Sequence, residues 1–131
     1  MALWLRENGF EESNDVHYVW ADTGWEHPVL YQYIEDTVKP LLGERFHRVV
    51  SKKYPGGMPD LVVSKGAMPS RMSRFCTEQL KKLPIRDYIR ELGNDPLPIN
   101  AVGIRAAESK ARSKMDRWEP GSILGKNLCD T

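Results

Sequence analysis

Residues 21–28 read Ala-Asp-Thr-Gly-Trp-Glu-His-Pro, and the fold is decided around them. The β-branched and aromatic residues just before them predict a strand over residues 16–21. After them, Pro28 suits a first helical turn, and apolar residues at helical spacing predict a helix over residues 28–42, ended by Gly43. A carboxylate, a hydroxyl and a glycine therefore lie at the carboxyl end of a strand, where open α/β sheets bind ligands. The alternative is an α/β turn without a ligand.

The rest of the chain alternates in the same way between strand and helix patterns. We expect a helix over residues 1–8, a strand over 45–51, a turn over 54–59, a basic helix over 69–82, a helix from Pro84 to Gly93, a buried strand over 99–104 and a helix over 106–115. Residues 61–63 fit either an extended loop or the start of a helix. This alternation predicts one α/β domain, a mostly parallel sheet with helices on both faces.

The composition is that of an ordinary globular protein: 131 residues, 40% of them hydrophobic and 28% charged. The apolar start is too short for a signal peptide, and no run is long enough to span a bilayer, so we expect a cytoplasmic protein without a membrane partner. Cys76 and Cys129 are then free thiols rather than a disulfide. His17 and His47 have no companions at metal-ligand spacing, so no histidine metal site is predicted.

The net charge of +1 hides an asymmetry along the chain. Residues 1–44 carry nine acidic and two basic side chains, whereas residues 45–131 carry nine acidic and seventeen basic ones. The basic excess concentrates in residues 65–90 and 105–117. It favours either an anionic ligand or a solvated charged face.

Three motifs, in order between residues 16 and 118, resemble the phosphoadenosine phosphosulfate (PAPS) reductase family and its adenine-nucleotide α-hydrolase relatives. Residues 21–28 are similar to the family's second strand-to-helix junction. Residues 73–84 contain an Arg-Phe-Cys-Thr, Leu-Lys and Pro pattern that looks like its Arg-aromatic-Cys-Thr segment. Residues 103–112 are similar to its Gly-x-Arg-x-x-Glu-Ser-x-x-Arg motif. The resemblance implies an adenine nucleotide as substrate, PAPS or ATP, with Mg²⁺ accompanying ATP and no firmly bound cofactor.

Two arginines of the last motif are the strongest candidates for anion binding. Arg105 follows a predicted strand, and Arg112 comes two helical turns later, an arrangement that suits phosphate or sulfate. The alternative is that Glu108 pairs with Arg112 on the helix surface, or orients Arg105. Trp25 is a candidate for stacking on adenine. The predicted substrate-binding residues are Asp22, Thr23, Trp25, Arg74, Lys81, Arg105, Glu108 and Arg112.

No catalytic residue is assigned. Cys76 has Arg71, Arg74 and Lys81 nearby in sequence, which favours a thiolate, but a lone cysteine in an apolar pattern is more often buried. In PAPS reductases the nucleophilic cysteine belongs to a C-terminal Glu-Cys-Gly-Leu-His segment, which this sequence lacks. We interpret Cys129 as a free cysteine of the tail.

The family's phosphate-binding loop, of the type Ser-Gly-Gly-Lys-Asp-Ser, is also absent from the sequence, and residues 1–5 look like the helix that follows it. We therefore expect a domain incomplete at both ends, from a fragment, an internal start or a split gene. Such a chain would bind nucleotide poorly until another chain or the missing segment supplied the strand and loop.

The resemblance implies three functions. The first is reductive release of sulfite from PAPS with a thioredoxin-type reductant, as in sulfate assimilation. The second is ATP cleavage of the sulfate adenylyltransferase or sulfurtransferase type. The third is a non-catalytic nucleotide-binding remnant or subunit. The sequence carries no strong nucleic-acid signal.

Overall fold

The computed structural model describes residues 1–70, 72–93, 98–103, 107, 110 and 112–116. The chain divides into two units, residues 1–92 and 93–131. The first unit contains α1 (Ala2–Glu7), α2 (Phe10–Ser13), β1 (Tyr18–Ala21), α3 (Pro28–Tyr33), α4 (Lys39–Leu42), β2 (Phe46–Val49), α5 (Met58–Lys65), α6 (Phe75–Thr77) and α7 (Leu83–Leu92). No helix in these described stretches is both long and apolar enough to cross a membrane.

β1 and β2 form a two-stranded parallel sheet, which confirms the α/β class and the first two predicted strands. Their pairing begins at Tyr18 opposite Phe46 and ends at Ala21 opposite Val49. Each strand is shorter than its sequence pattern, because a strand extends only as far as its partner does. Both carboxyl ends lie at the same edge of the sheet, as parallel pairing requires.

The sheet packs against a helix on each face. Side chains alternate along a strand, so the pairs Val19–His47 and Trp20–Arg48 lie on opposite faces. On one face, the His47 ring lies 5.1 Å from the ring of Tyr88 in α7. On the other, the Trp20 ring meets the Tyr31 ring of α3 edge-on, with centroids 5.9 Å apart.

Two helices widen into a π-helical turn just before a proline. Ile34–Val38 joins α3 to α4, and Glu78–Lys82 joins α6 to α7. The N–H of the residue preceding each proline donates to the carbonyl five residues back, from Lys39 to Ile34 and from Leu83 to Glu78. A proline within a helix has no N–H to donate and crowds the carbonyl four residues back, and a wider turn relieves both problems.

These turns decide two predictions about helices. The helix expected over residues 28–42 is confirmed as one continuous run with a π-helical centre. Pro84 was expected to begin a new helix, and this is wrong, because the helix that begins at Phe75 continues through it. The prediction of a basic helix from Pro69 is also wrong for its first residues. Residues 69–70 and 72–74 form a loop, closed by backbone hydrogen bonds in both directions between Ser70 and Ser73.

A buried hydrophobic cluster lies between α5 and the helix that begins at Phe75. It consists of Tyr54, Leu61 and Leu80, with Met58, Phe75 and Cys76 packed at its margin. α5 thus resolves the ambiguity over residues 61–63 in favour of a helix. Its N-terminus follows directly on the loop after β2, so the same cluster supports that loop.

The second unit corrects the predictions for residues 99–115. Residues 98–103 form neither strand nor helix, and Ile99 and Val102 are exposed, so the expected buried strand is not found there. Ile104 lies outside the described residues. Within the expected helix the structure describes a 3₁₀ turn at Arg112–Lys114.

Candidate functional site

The loop after β1 is joined to the end of β2 by its first residue. The Asp22 N–H donates to the Val49 carbonyl, 2.9 Å away, so the parallel pairing extends into the loop. Asp22 is only 2% exposed and Thr23 only 6%. The Asp-Thr-Gly stretch therefore lies at the carboxyl edge of the sheet, where the sequence places it.

The Asp22 carboxylate receives donors on both oxygens. Its Oδ1 accepts from the Gly24 N–H and the Tyr31 hydroxyl, each at 2.8 Å. Its Oδ2 accepts from Arg48 through Nε at 2.8 Å and through Nη2. Burial raises the pKa of Asp22, but these hydrogen bonds outweigh it and hold the pKa below its ordinary value. To contact a nucleotide, as predicted, Asp22 would have to exchange one of these donors.

Arg48 is the functional candidate that the sequence interpretation missed. It lies on β2 opposite Trp20, and its guanidinium carbon lies 5.8 Å from the Trp20 ring and 6.0 Å from the Tyr31 ring. Its side chain is 48% exposed, and its Nη1 has no hydrogen-bond acceptor among the described residues. A signal was present in the sequence, because Arg48 lies within the predicted strand that follows the one ending just before Asp22.

The loop after β2 packs directly onto the loop after β1. The Met58 N–H donates to the Thr23 carbonyl at 2.7 Å. Gly57 has a φ of 74°, and a Cβ there would lie 2.1 Å from the same carbonyl oxygen. Only glycine permits this approach, so backbone contact fixes the two loops relative to each other.

Of the remaining side chains in the loop after β1, two form local hydrogen bonds and one is exposed to solvent. The Thr23 hydroxyl donates to Glu26 Oε1 at 2.9 Å. His27 is the N-cap of α3, where its Nδ1 accepts from the Val29 N–H at 3.2 Å. Trp25 is 59% exposed, so its ring is open to a ligand.

The paired glycines at 56 and 57 do not form a phosphate cradle. The Gly56 N–H donates to Asp60 Oδ2 at 2.7 Å, and the Gly57 N–H donates to the Tyr54 carbonyl at 2.8 Å. This confirms the expected turn over residues 54–57, whereas residues 58 and 59 already belong to α5. A phosphate would need such N–H groups unengaged and converging.

The predicted basic residues are only partly described. Arg74 and Lys81 are exposed, and their side chains make no hydrogen bond or ion pair within the described stretches. Arg112 is exposed and belongs to the second unit. Four residues named in the sequence analysis lie outside the described residues: Arg71, Arg105, Glu108 and Cys129. The structure thus brings together Asp22, Thr23 and Trp25, and the role of every predicted binding residue stays a prediction.

Cys76 is a free cysteine, half-buried against Tyr54, Leu61 and Leu80. This packing favours the structural interpretation of its thiol. Across the described part of the chain, no group of three or more histidine, cysteine, aspartate or glutamate residues is arranged to hold a metal ion.

Comparison with known proteins identifies the family. The family model described as phosphoadenosine phosphosulfate reductase domain matches residues 4–125. An uncharacterized nin region protein of Escherichia phage lambda is 33% identical over 129 residues, covering 82% of this chain and 44% of its own length. An uncharacterized 37.8 kDa protein of Escherichia phage 186 is 38% identical over 80 residues, covering 58% of this chain and 24% of its own length. No solved structure matches significantly.

The chain therefore spans less than half the length of either phage relative. The matched residues nonetheless include the loop after β1, the segment around Cys76 and the arginine motif at residues 103–112. With its family model matched over nearly the whole sequence, the chain belongs to the phosphoadenosine phosphosulfate reductase domain family.

Proposed function

We propose that this domain binds an adenine nucleotide at the carboxyl edge of β1 and β2, and that the complete site releases sulfite reductively from PAPS. The observation that carries the proposal is the buried Asp22 loop, locked to the end of β2 within a chain of this family. A loop held at both ends presents its exposed groups in one geometry, which lowers the entropy lost when a ligand binds.

Each side of the proposed site has a distinct task. Trp25 offers an exposed ring on which adenine can stack. Arg48 offers the Nη1 edge of its guanidinium, which has no acceptor in the described part of the chain and is already oriented by Asp22. Arg74 and Lys81, exposed cations of the same unit, supply positive charge for the phosphate and sulfate groups, a task that the family motif also assigns to Arg105 and Arg112. The electrons for sulfite release come from a thioredoxin-type dithiol, which is oxidised to its disulfide.

Titration calorimetry with PAPS and with adenosine tests the binding step. It is run on the chain alone and on the chain fused behind a strand and Ser-Gly-Gly-Lys-Asp-Ser loop. We expect weak PAPS binding by the chain alone and binding at least tenfold tighter by the fusion. Trp25→Ala should lose affinity for both ligands, whereas Arg90→Ala, an exposed change on α7, should not. PAPS binding by neither protein would refute the proposal.

Cleavage of ATP between its α and β phosphates is a second candidate, because the Arg-Ala-Ala-Glu-Ser-Lys-Ala-Arg run at residues 105–112 suits it nearly as well. The two reactions separate by their products. Reductase activity consumes reduced thioredoxin and yields sulfite, whereas ATP cleavage yields pyrophosphate, requires Mg²⁺ and needs no reductant. Tight nucleotide binding without either product would favour a non-catalytic subunit.

A further inference from the structure

Two histidines and a tyrosine form a polar contact between the sheet and α7, away from the carboxyl edge. His17 lies just before β1, and His47 lies on β2. Their rings stack with centroids 4.9 Å apart and an interplanar angle of 23°. Tyr88 of α7 contacts both: its hydroxyl lies 2.7 Å from His17 Nδ1, and its ring lies 5.1 Å from the His47 ring.

The hydrogen bond to Tyr88 defines the protonation state in which this contact is complete. In the neutral His17 ring, Nδ1 accepts from the Tyr88 hydroxyl, and the proton is on Nε2, which lies 3.2 Å from Asp15 Oδ2. If His17 alone gains a proton, its positive charge still faces the Asp15 carboxylate. If His47 gains one as well, two positive charges lie in stacked rings.

The charged groups around the pair do little to compensate for that second charge. Next to β1 and β2, a cleft of about 460 Å³ is lined by both histidines with Asp15, Glu44 and Arg45. Asp15 and Glu44 are both largely exposed, so water screens their charges, and Arg45 donates to the Glu11 carbonyl.

On α7, Asp87 and Glu91 flank Tyr88 in the sequence. Asp87 lies 3.3 Å from the Arg86 guanidinium. Glu91 accepts from Lys52 at 2.7 Å. Each is therefore engaged by a cation outside the histidine pair.

We propose that His17, His47 and Tyr88 form a pH-sensitive clasp, closed at neutral pH and opened when both imidazoles are protonated, which frees α7 from the sheet. The consequence reaches Lys81, a predicted binding residue, because α7 continues the helix that carries it.

The direction of the pH effect follows from the environment of His47. Burial, and then the neighbouring His17, hold the pKa of His47 below its ordinary value of 6.5, although Asp15 opposes this. The unfolded chain then binds the proton more readily, so stability is present above about pH 6.5 and falls as the pH drops below it. Asp22, whose pKa is lowered from 3.8, acts in a separate and more acidic range.

Thermal unfolding between pH 7.5 and 5 tests the clasp in the full chain. For the wild type, the unfolding equilibrium constant should rise by up to about tenfold per pH unit below pH 6.5. His47→Phe keeps an aromatic ring and should flatten this dependence. His27→Asn, which removes the third histidine but keeps a capping side chain, should follow the wild type. Equal pH slopes for the wild type and His47→Phe would overturn the proposal.

Hydrogen exchange and NMR titration of the wild type keep the test decisive if His47→Phe does not fold. We expect α7 amides to exchange faster at pH 5.5 than at pH 7.5, after correction for intrinsic rates, while α5 amides change less. We also expect the His47 imidazole to titrate below its ordinary pKa of 6.5. Uniform exchange along the chain, or a His47 imidazole that titrates at its ordinary pKa, would contradict the clasp.

Discussion

Replacing Arg48 by alanine leaves the buried Asp22 carboxylate without its cationic partner. Exposed ion pairs contribute about 0–1 kcal/mol, whereas removing one partner of a buried pair costs about 3–5 kcal/mol. The Asp22 side chain is 1% exposed and the Arg48 side chain is 48% exposed, so this pair lies between the two cases. Since Oδ1 keeps its bonds from Gly24 and Tyr31, we expect Arg48→Ala to lower the free energy of unfolding by about 2–3 kcal/mol.

Urea unfolding at pH 7, followed by circular dichroism, measures this loss. A decrease of 2–3 kcal/mol lowers the urea midpoint by about 1 M or more. Arg48→Lys keeps the charge but loses the paired N–H donors, so it should fall between wild type and Arg48→Ala. Arg90→Ala should stay within about 0.5 kcal/mol of wild type. The double variant Asp22→Asn/Arg48→Ala should be more stable than Arg48→Ala, because no charge is then left buried.

The pH dependence checks the same reasoning from another direction. Because hydrogen bonds lower the pKa of Asp22, its stabilising contribution is present above about pH 4 and is lost as the pH falls further. The difference between wild type and Arg48→Ala should therefore shrink toward pH 3. An Arg48→Ala protein that unfolds at the wild-type urea midpoint at pH 7 would refute the account of this pair.

Three further changes test other parts of the structure. Gly57→Ala should cost about 2 kcal/mol or more in a urea titration, because its Cβ would meet the Thr23 carbonyl; Gly66→Ala, also at positive φ but facing open space, should cost only about 1 kcal/mol. Arg105→Ala in the loop-bearing fusion should weaken PAPS binding by about 1.5–3 kcal/mol in calorimetry, with adenosine affinity unchanged as the internal control. Cys76→Ser should keep the reaction rate within a few-fold and lower only the melting temperature; a loss of several orders of magnitude with binding intact would identify Cys76 as the nucleophile.

The strand, loop and helix around Asp22 could be predicted because their signals are local. Pro28 suits a first helical turn, Gly43 ends the helix, and the run before Asp22 has strand-forming residues. The partner of Asp22 is not a local property. Arg48 follows it by 26 positions and reaches it only because β2 pairs in parallel with β1 in one register. Spacing along the chain carries no information about that register.

The misses have the same physical origin. An apolar run such as residues 99–104 is typical of a buried strand. A strand also needs a neighbouring strand to pair with, and the apolar pattern does not show whether one is there. Pro69 is compatible with a helix start, yet the reciprocal bonds between Ser70 and Ser73 stabilise a loop there. Pro84 looks like a helix boundary because proline usually ends an α-helix. The spacing of apolar residues does not predict the π-helical turn that accommodates it.

That turn makes Pro84 a determinant of helix rotation. A π-helical turn holds one residue more than the α-helical path, so everything after it is rotated by about 100° about the axis. With Pro84→Ala, residue 84 regains an N–H that can bond to the Leu80 carbonyl, and the extra residue can be lost from the turn. Tyr88 would then point to a different side of the helix. Pro84, four residues before Tyr88, thus decides whether the tyrosine meets the two stacked imidazoles. Its own side chain forms no hydrogen bond with either ring.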